Sequence, residues 1–467
     1  MKQKIRHIAN LLMLAALTVA CSTDSYPGLE YEYPTASDAV NSETGNPGGE
    51  LGTRLRVLVS NSSFYSTPAV ANTRGTGPFN VPITNRADSN HYAKSIFHLF
   101  AFRDRPDEQG PLAYMPDYTR RASDAGDANV NCLVDGYDYY QGLPAHLNKN
   151  QTGEFVMLKP DLANDTTLHF GDRFSDIGYN FYAYYLDDAT VTQSRRDPDR
   201  IYYDIDIDGS QDIMVGRSQR LTPEILDERY PNIELTQEQR DHVLNIGNYS
   251  SYASMLGVQP IVDMRHLLAR LQFRAYPADA SCDSVFIDSI SIESRHKARF
   301  TVAAINAADI GLEIDAHRDS LWLKGADPDK NDPDSVGIYP LEQLKVLGNT
   351  VQWKPEQANR DLYERDYVHV GSDLLVMPDT AYTMTLHYSQ ILRDGTDRRH
   401  TFKGTFNLPA PEIDINWDAD AGEWRFKPGL IYYVRIAVYG SMPITVDVAI
   451  SDDGWQDGGD VDVDVDQ

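Results

Sequence analysis

Alternation between apolar and polar positions is the dominant pattern along this chain. The first predicted strand is Leu55–Val59, where Leu55, Val57 and Val59 share one face and begin the folded part. Apolar residues fill both faces of the segment around Phe100, which predicts a buried strand. The other clear strands are predicted at Ile96–Phe102, Tyr179–Leu186, Tyr382–Tyr388, Tyr432–Val438 and Ile444–Ile450. Many short strands joined by Gly, Pro and Asp turns predict a mainly β protein built of antiparallel β-sandwiches.

Two short helices are predicted in the connections between strands. Thr222 is a suitable N-cap, because Pro223 follows it at the first helical position. Thr236 and Gln239 have the spacing of a capping box. Later in the chain, the alternation slips phase between Val285 and Ile292, which predicts a β-bulge.

The chain has 467 residues, which is too long for one hydrophobic core. The pattern resets around Gly257, and a second domain is predicted to start there. A polar stretch rich in Ser, Gly, Pro and Glu precedes the first strand and is predicted to be a flexible tether. The predicted division is a signal peptide at 1–20, the tether at 21–52, an N-terminal β-sandwich at 53–256, a C-terminal β-sandwich at 257–455 and an acidic tail at 456–467.

The N-terminus has the pattern of a bacterial lipoprotein signal. Three basic residues precede a short apolar run, and Leu17–Cys21 resembles a lipobox with small Ala20 just before the cysteine. Acylation of Cys21, with chains such as palmitate, would anchor the chain to a membrane without a transmembrane helix. The alternative is an ordinary secretory signal in which the cysteine is accidental.

Composition and charge exclude several classes of function. The net charge of −27 repels nucleic-acid phosphate, so no nucleic-acid partner is expected. The sequence has no nucleophile elbow, zinc-protease motif, P-loop or dinucleotide fingerprint, and we therefore expect neither enzymatic activity nor a cofactor. Cys132 and Cys282 could form a disulfide or remain two buried thiols, and they do not have the spacing of a metal pair.

Two aspartate-rich segments admit more than one interpretation. The residues Asp204, Asp206 and Asp208 fit the opening of a calcium loop, but its twelfth position is Val215 where a glutamate is needed. Alternation with isoleucines favours instead a strand whose aspartate face meets solvent, and no metal is expected. The terminal Asp–Val alternation is either a solvated tail or a donor strand that presents one apolar face, formed by Val461, Val463 and Val465.

Motifs spread along nearly the whole chain resemble one family. The lipobox and tether come first, and a short C-terminal block that ends at Trp455 comes last. Between them lies the segment Leu374–Pro378, and the Asp379 that follows it stands where related sequences commonly have a glutamine. The chain resembles the fimbrillin-like (Mfa-like) lipoproteins that form surface fimbriae of Bacteroidales. The internal motifs are Arg86–Phe102, Tyr182–Tyr185, Asp212–Gly216, His266–Arg270, Leu374–Pro378, Pro428–Tyr433 and Ile444–Ile450.

This resemblance implies two transthyretin-like domains and assembly by donor strands, in which a neighbouring subunit fills a groove that the removed first strand leaves. It also implies cleavage by an Arg-specific protease of the outer membrane, and Arg74 and Arg86 are the candidate sites. Both could equally be plain loop arginines, since some family members stay uncleaved as anchors or tips.

The expected function is thus that of a structural or adhesive subunit of fimbriae on the outer membrane, with other fimbrial subunits as partners and with host or bacterial surface ligands. The alternative is a surface glycan-binding lipoprotein of a nutrient-uptake system, which clustered exposed aromatic residues would favour.

Overall fold

The computed structural model describes residues 54–59, 96–103, 142–147, 155–157, 168–170, 176–197, 199–277, 282–323, 344–345, 368–392, 399–438 and 445–450. Strands dominate these residues, so the predicted mainly β fold is confirmed. Before the first α-helix, the described strands are β1 Arg54–Leu55, β2 Leu58–Val59, β3 Phe97–Arg103, β4 Leu143–Leu147, β5 Phe155–Met157, β6 Leu168–His169, β7 Tyr179–Tyr185, β8 Thr190–Arg196, β9 Arg200–Asp206 and β10 Met214–Ser218.

The remaining strands and the three α-helices complete the described fold. The helices are α1 Pro223–Arg229, α2 Gln237–Ile246 and α3 Ser251–Met255. The strands after them are β11 Ile261–His266, β12 Ala269–Pro277, β13 Cys282–Arg295, β14 Lys297–Ala304, β15 Gly311–Ile314, β16 Arg318–Trp322, β17 Leu344–Lys345, β18 Val368–His369, β19 Leu374–Val376, β20 Ala381–Leu392, β21 Arg399–Pro409, β22 Trp417–Asp418, β23 Glu423–Trp424, β24 Ile431–Val438 and β25 Thr445–Ile450.

The first sandwich pairs a seven-stranded sheet with a four-stranded sheet. The strand order is β2-β11-β10-β7-β3-β4-β5 in the larger sheet and β15-β14-β9-β8 in the smaller one. Phe100, Tyr182 and Tyr184 point from the larger sheet into a core that they share with Tyr203 and Phe300 of the smaller sheet. The aromatic strand and the buried strand around Phe100 are therefore confirmed as central elements.

Three helices cover the opposite face of the seven-stranded sheet. Thr222 caps α1 by accepting a hydrogen bond from the Ile225 amide, and the Thr236–Gln239 capping box is present at α2, so both predicted helix starts are confirmed. The third helix, α3, was not predicted. The helices contribute Leu226, Val243 and Ala253 to a core on this face, which explains why the strands beneath are apolar on both sides.

The second sandwich consists of two five-stranded sheets. One contains β12, β18, β19, β24 and β25, and the other contains β13, β16, β17, β20 and β21. Alternating side chains such as Met384, Leu386 and Val434 fill the core between the sheets. The predicted bulge is confirmed, because the pairing of β13 with β20 shifts register between Ile287 and Ser289.

Within the described residues, the chain passes between the sandwiches at three very short connections. These are Leu267 and Leu268 between β11 and β12, His296 between β13 and β14, and residues 315–317 between β15 and β16. The predicted boundary at residue 257 does not coincide with a change of sandwich, because β11, β14 and β15 all pair with strands of the first sandwich. The pattern resets there because α3 ends, and the sheet that follows is still the first one. The transthyretin-like topology stays a prediction.

Candidate assembly site

The candidate site is the first segment, residues 54–59, together with the groove that holds it. The sequence predicted one strand here, but the segment forms two short strands in different sheets. Its first part, β1, pairs with β6. Its second part, β2, pairs in parallel with β11 and is the end strand of the seven-stranded sheet. The chain changes partner at Arg56 and Val57, which lie outside both strands.

The apolar side chains of the first segment are part of the hydrophobic core. Leu55 and Val57 are each 1% exposed and Val59 is 4% exposed, and all three join the core beneath the helices. Leu58 is also buried, at 6% exposure, although the alternation placed it on the opposite face. The first segment therefore packs into the core beneath the helices while contributing only an edge strand to the seven-stranded sheet.

Beyond its two short strand pairings, the first segment is held by hydrogen bonds to the residues just before β11. The Leu58 amide donates to the Pro260 carbonyl at 2.9 Å. The Arg56 amide donates to Oε1 of Gln259, also at 2.9 Å, and that amide side chain donates in turn to the Ser254 carbonyl at 3.1 Å. Gln259 is 5% exposed, so it replaces a sheet bond at the point where the chain changes partner.

A pair of buried tyrosines fixes the strand edge that receives the segment. The Tyr230 hydroxyl donates to the Gln259 carbonyl and lies 3.3 Å from the Tyr249 hydroxyl. Burial raises the pKa of Tyr249 above its ordinary value, so this hydroxyl stays protonated at physiological pH. The two tyrosine hydroxyls at this edge thus have hydrogen-bond partners within the protein.

Most of the residues predicted to act in assembly lie outside the described residues. These are the lipidation site Cys21, the candidate cleavage sites Arg74 and Arg86, and the candidate donor side chains Val461, Val463 and Val465. Their roles stay predictions. The second candidate donor in the sequence, Ile444–Ile450, contains β25, which pairs with β24 at the end of its sheet.

Two of the three aspartates in the calcium-like run are engaged with basic side chains. Asp204 and Asp206 belong to β9, and the intervening Ile205 is buried in the core, as the strand interpretation predicted. The Asp204 carboxylate accepts a hydrogen bond from Arg299 at 3.1 Å, and Asp206 lies 2.6 Å from the imidazole Nδ1 of His296.

The third aspartate shapes a turn. Asp208 accepts hydrogen bonds from the backbone amide of Ser210 at 3.0 Å and from its hydroxyl at 2.6 Å. Val215, the twelfth position of the supposed calcium loop, is fully buried in β10. Across the part of the chain that the structure describes, no three His, Cys, Asp or Glu side chains come together as metal ligands.

Buried polar pairs gather where the two sandwiches meet, and sequence reasoning did not identify them. Nδ1 of His266 lies 2.9 Å from a carboxylate oxygen of Asp212, which is completely buried. The backbone amide of Asp212 donates to the carboxylate of Asp187 at 2.9 Å. Because each member has a hydrogen-bond partner, these groups can remain buried without a large penalty. Because these groups are buried and hydrogen-bonded to one another, we infer that they have a structural role at the junction.

No helix among the described residues is both long and apolar enough to cross a membrane. No family profile matches the chain, and no curated protein matches it.

Solved structures do show similarity to the fold. A fimbrial protein from Bacteroides vulgatus is 11% identical, with a TM-score of 0.40 over 79% of this chain and 96% of that one. A proposed cell adhesion protein from Bacteroides uniformis is 10% identical, with a TM-score of 0.38 over 87% and 99%. The fimbrial anchor protein Mfa2 from Porphyromonas gingivalis is 11% identical, with a TM-score of 0.27 over 87% and 100%. The structural neighbours are thus fimbrial and cell adhesion proteins of Bacteroidales, the group that the sequence resembles. At these TM-scores the likeness carries no inference about function.

Proposed function

We propose that the chain is a structural or adhesive subunit of cell-surface fimbriae that assembles by exchange of its first segment for a strand of another subunit. The observation that carries this proposal is the position of the first segment. Its two strands are only two residues long and β2 lies at a sheet edge, yet its side chains Leu55, Val57 and Val59 are buried in the core.

Removal of the segment would open an apolar groove that needs a replacement. Four large apolar side chains leave the core with it, and each contributes roughly 1.5–3 kcal/mol when fully buried. The open groove therefore costs about 6–12 kcal/mol, as an upper estimate. An incoming strand regains this energy by filling the same pockets and by pairing with the free edge of β11.

Export and anchoring follow from the N-terminal sequence. Acylation at Cys21 places the chain on the outer membrane, and the polar residues 22–52 separate the folded part from the lipid. In this proposal the partners are other fimbrial subunits, the membrane through the lipid, and ligands on host or bacterial surfaces. The proposal rests on the first segment and on the N-terminal sequence.

The proposed role is non-enzymatic. No catalytic motif is present in the sequence. Among the described residues, the Asp212–His266 pair is enclosed, since the aspartate is completely buried and the imidazole is 7% exposed. Such a pair cannot reach a substrate that arrives from solvent, because general acid–base catalysis needs direct contact with the reacting proton.

N-terminal sequencing of material sheared from the cell surface tests the proposal. Cleavage after Arg74 or Arg86 is expected to yield mature chains that begin at Gly75 or Ala87 and lack the first segment. Variants Arg74→Lys and Arg86→Lys, alone and together, keep the positive charge while removing an Arg-specific site.

Immunoelectron microscopy with an antibody to the chain then places it in the fibre. Labelling along or at the ends of fibres is expected. A chain that still begins at Cys21 in cells with labelled fibres would identify an uncleaved anchor or tip subunit and would contradict segment exchange. Absence of label from all fibres would contradict the proposal as a whole.

A further inference from the structure

A pair of tryptophans lies on a short hairpin of the second sandwich, with Trp417 exposed and Trp424 partly buried against the core. Trp417 of β22 and Trp424 of β23 are direct cross-strand partners, with ring centroids 4.8 Å apart and ring planes at 63°. Trp417 is 43% exposed, and neighbouring Ile415 is 38% exposed. Trp417 and Ile415 together form a small exposed apolar patch beside the second indole.

The hairpin is rigid although its tip is exposed. Its turn is closed by a hydrogen bond from the Gly422 amide to the Asp418 carbonyl at 2.7 Å. The Asp418 carboxylate accepts two further bonds from backbone amides in the turn, each at 3.2 Å. Gly422 has a φ of 68°, a conformation that glycine adopts without strain.

Buried groups fasten the base of the hairpin to the core. Asn416 is completely buried, and its side chain donates to the Pro411 carbonyl at 3.0 Å and accepts from the Tyr432 hydroxyl at 2.8 Å. Phe426, just after β23, packs between Tyr382 and Tyr432 with both ring centroids 4.6 Å away. The two indoles are therefore held in place before any ligand arrives, which lowers the entropy cost of binding.

The size of the aromatic surface points to a small ligand. A tryptophan side chain presents up to about 250 Å², so an exposure of 43% leaves roughly 100 Å² of Trp417 accessible. A stable protein–protein interface buries about 800 Å² on each partner, several times more than this surface offers. One or two pyranose rings match the area, since the C–H groups of a sugar carry partial positive charge and stack on the negative face of an indole.

The polar groups around the tryptophans favour a neutral saccharide. Glu423 pairs with Arg425 at 2.8 Å, and Asp418 lies 3.8 Å from the ammonium group of Lys427. Carboxylates outnumber cations on this hairpin, since Asp414 and Asp420 are also exposed. Carboxylates accept hydrogen bonds from sugar hydroxyls, whereas their net negative charge repels sialic or uronic acids.

We propose that the Trp417–Trp424 hairpin is a binding site for neutral saccharides, with Trp417 as the stacking platform and the flanking carboxylates as hydroxyl acceptors. The site would give an adhesive subunit its contact with a glycan-covered surface. Its existence does not depend on assembly into fimbriae, so a binding test on the purified protein can fail or succeed independently of the function proposed above.

The test is calorimetric titration of the full-length protein in detergent with cello-, manno- and maltohexaose, and with sialyllactose as an anionic probe. At least one neutral hexasaccharide is expected to bind, and Trp417→Ala should weaken that affinity by about tenfold or more. Trp417→Phe should retain most of the affinity because it keeps an aromatic face. The matched control is Trp322→Ala, since Trp322 is 52% exposed on β16, away from the hairpin.

A second measurement keeps the test decisive if Trp417→Ala impairs folding. Saturation-transfer NMR on the wild-type protein should show transfer to the saccharide, and the indole N–H resonances of Trp417 and Trp424 should shift while that of Trp322 stays unchanged. The proposal is overturned if no neutral hexasaccharide binds, if sialyllactose binds more tightly, or if the Trp322→Ala and Trp417→Ala proteins lose affinity equally.

Discussion

Deletion of the first segment is the most direct perturbation of the proposed assembly mechanism. Removal of residues 54–59 takes Leu55, Val57, Leu58 and Val59 out of the core, which costs about 6–12 kcal/mol. Net stabilities of folded proteins are about 5–15 kcal/mol, so the loss approaches the whole stability of the first sandwich. At roughly 2 °C for each kcal/mol, the apparent Tm should fall by at least about 12 °C.

A synthetic peptide of residues 53–60 should reverse the loss when it is added to the deletion variant. The peptide can regain the same apolar pockets and the hydrogen bond to the Pro260 carbonyl, so Tm should rise with peptide concentration by mass action. Fluorescence anisotropy of labelled peptide provides its affinity. A peptide with Val57→Asp should neither bind nor stabilise, because Val57 is 1% exposed in the hydrophobic core and a carboxylate there would lose its hydration.

A matched pair of point variants tests whether the loss of stability comes from burial of the side chain or from its position on an edge strand. In the intact chain, Val57→Asp should be strongly destabilising, whereas Val191→Asp should change Tm little, since Val191 is 41% exposed on the edge strand β8. The reasoning would be refuted if the deletion variant melts within about 2 °C of the intact chain, or if the two peptides stabilise it equally.

Three further predictions concern the anchor, the aspartate run and pH. Cys21→Ser should leave the protein soluble, as cell fractionation would show; a membrane-bound variant would contradict the lipid anchor. EGTA should change Tm by less than about 2 °C, because Asp204 and Asp206 already pair with basic side chains; a larger fall would reveal a bound cation. Burial lowers the pKa of His98 from 6.5, so the unfolded chain takes up a proton that the folded chain resists, and stability is lost as pH falls below about 6.5. The variant His98→Phe keeps an aromatic ring stacked against Tyr184 but cannot take up a proton. Between about pH 7.5 and about pH 5, its Tm should therefore fall less than the Tm of the wild type. An equal fall in both proteins would contradict this prediction.

The periodic part of the fold was predictable because local sequence determines it. The strand at Tyr179–Tyr185, the capping box at Thr236 and the bulge after Ile287 all follow from the spacing of a few neighbouring residues. The burial of Leu55, Val57 and Val59 followed in the same way, so the apolar half of the candidate site was predictable from the alternation alone.

Strand partners were not predictable, because alternation assigns a residue to a face and does not identify the neighbouring strand. The return of β14 to the first sandwich depends on pairing with β9, about a hundred residues earlier in the chain. The change of partner at Arg56 needs Gln259, which no local pattern connects to the first segment. Likewise, nothing around Trp417 in the sequence distinguishes an exposed hairpin tryptophan from a core residue.

The three short crossings between the sandwiches have a mechanical consequence. A pair of domains joined by one flexible linker swings freely, and a pulling force loads that linker alone. Here three backbone connections of one to three residues run side by side, at Leu267–Leu268, at His296 and at residues 315–317. Tension is divided among them and among the backbone bonds beside them, such as the one from Ile207 to His296 at 2.9 Å. A force that pulls the two sandwiches apart is therefore shared among several short connections, so no single linker bears the whole load.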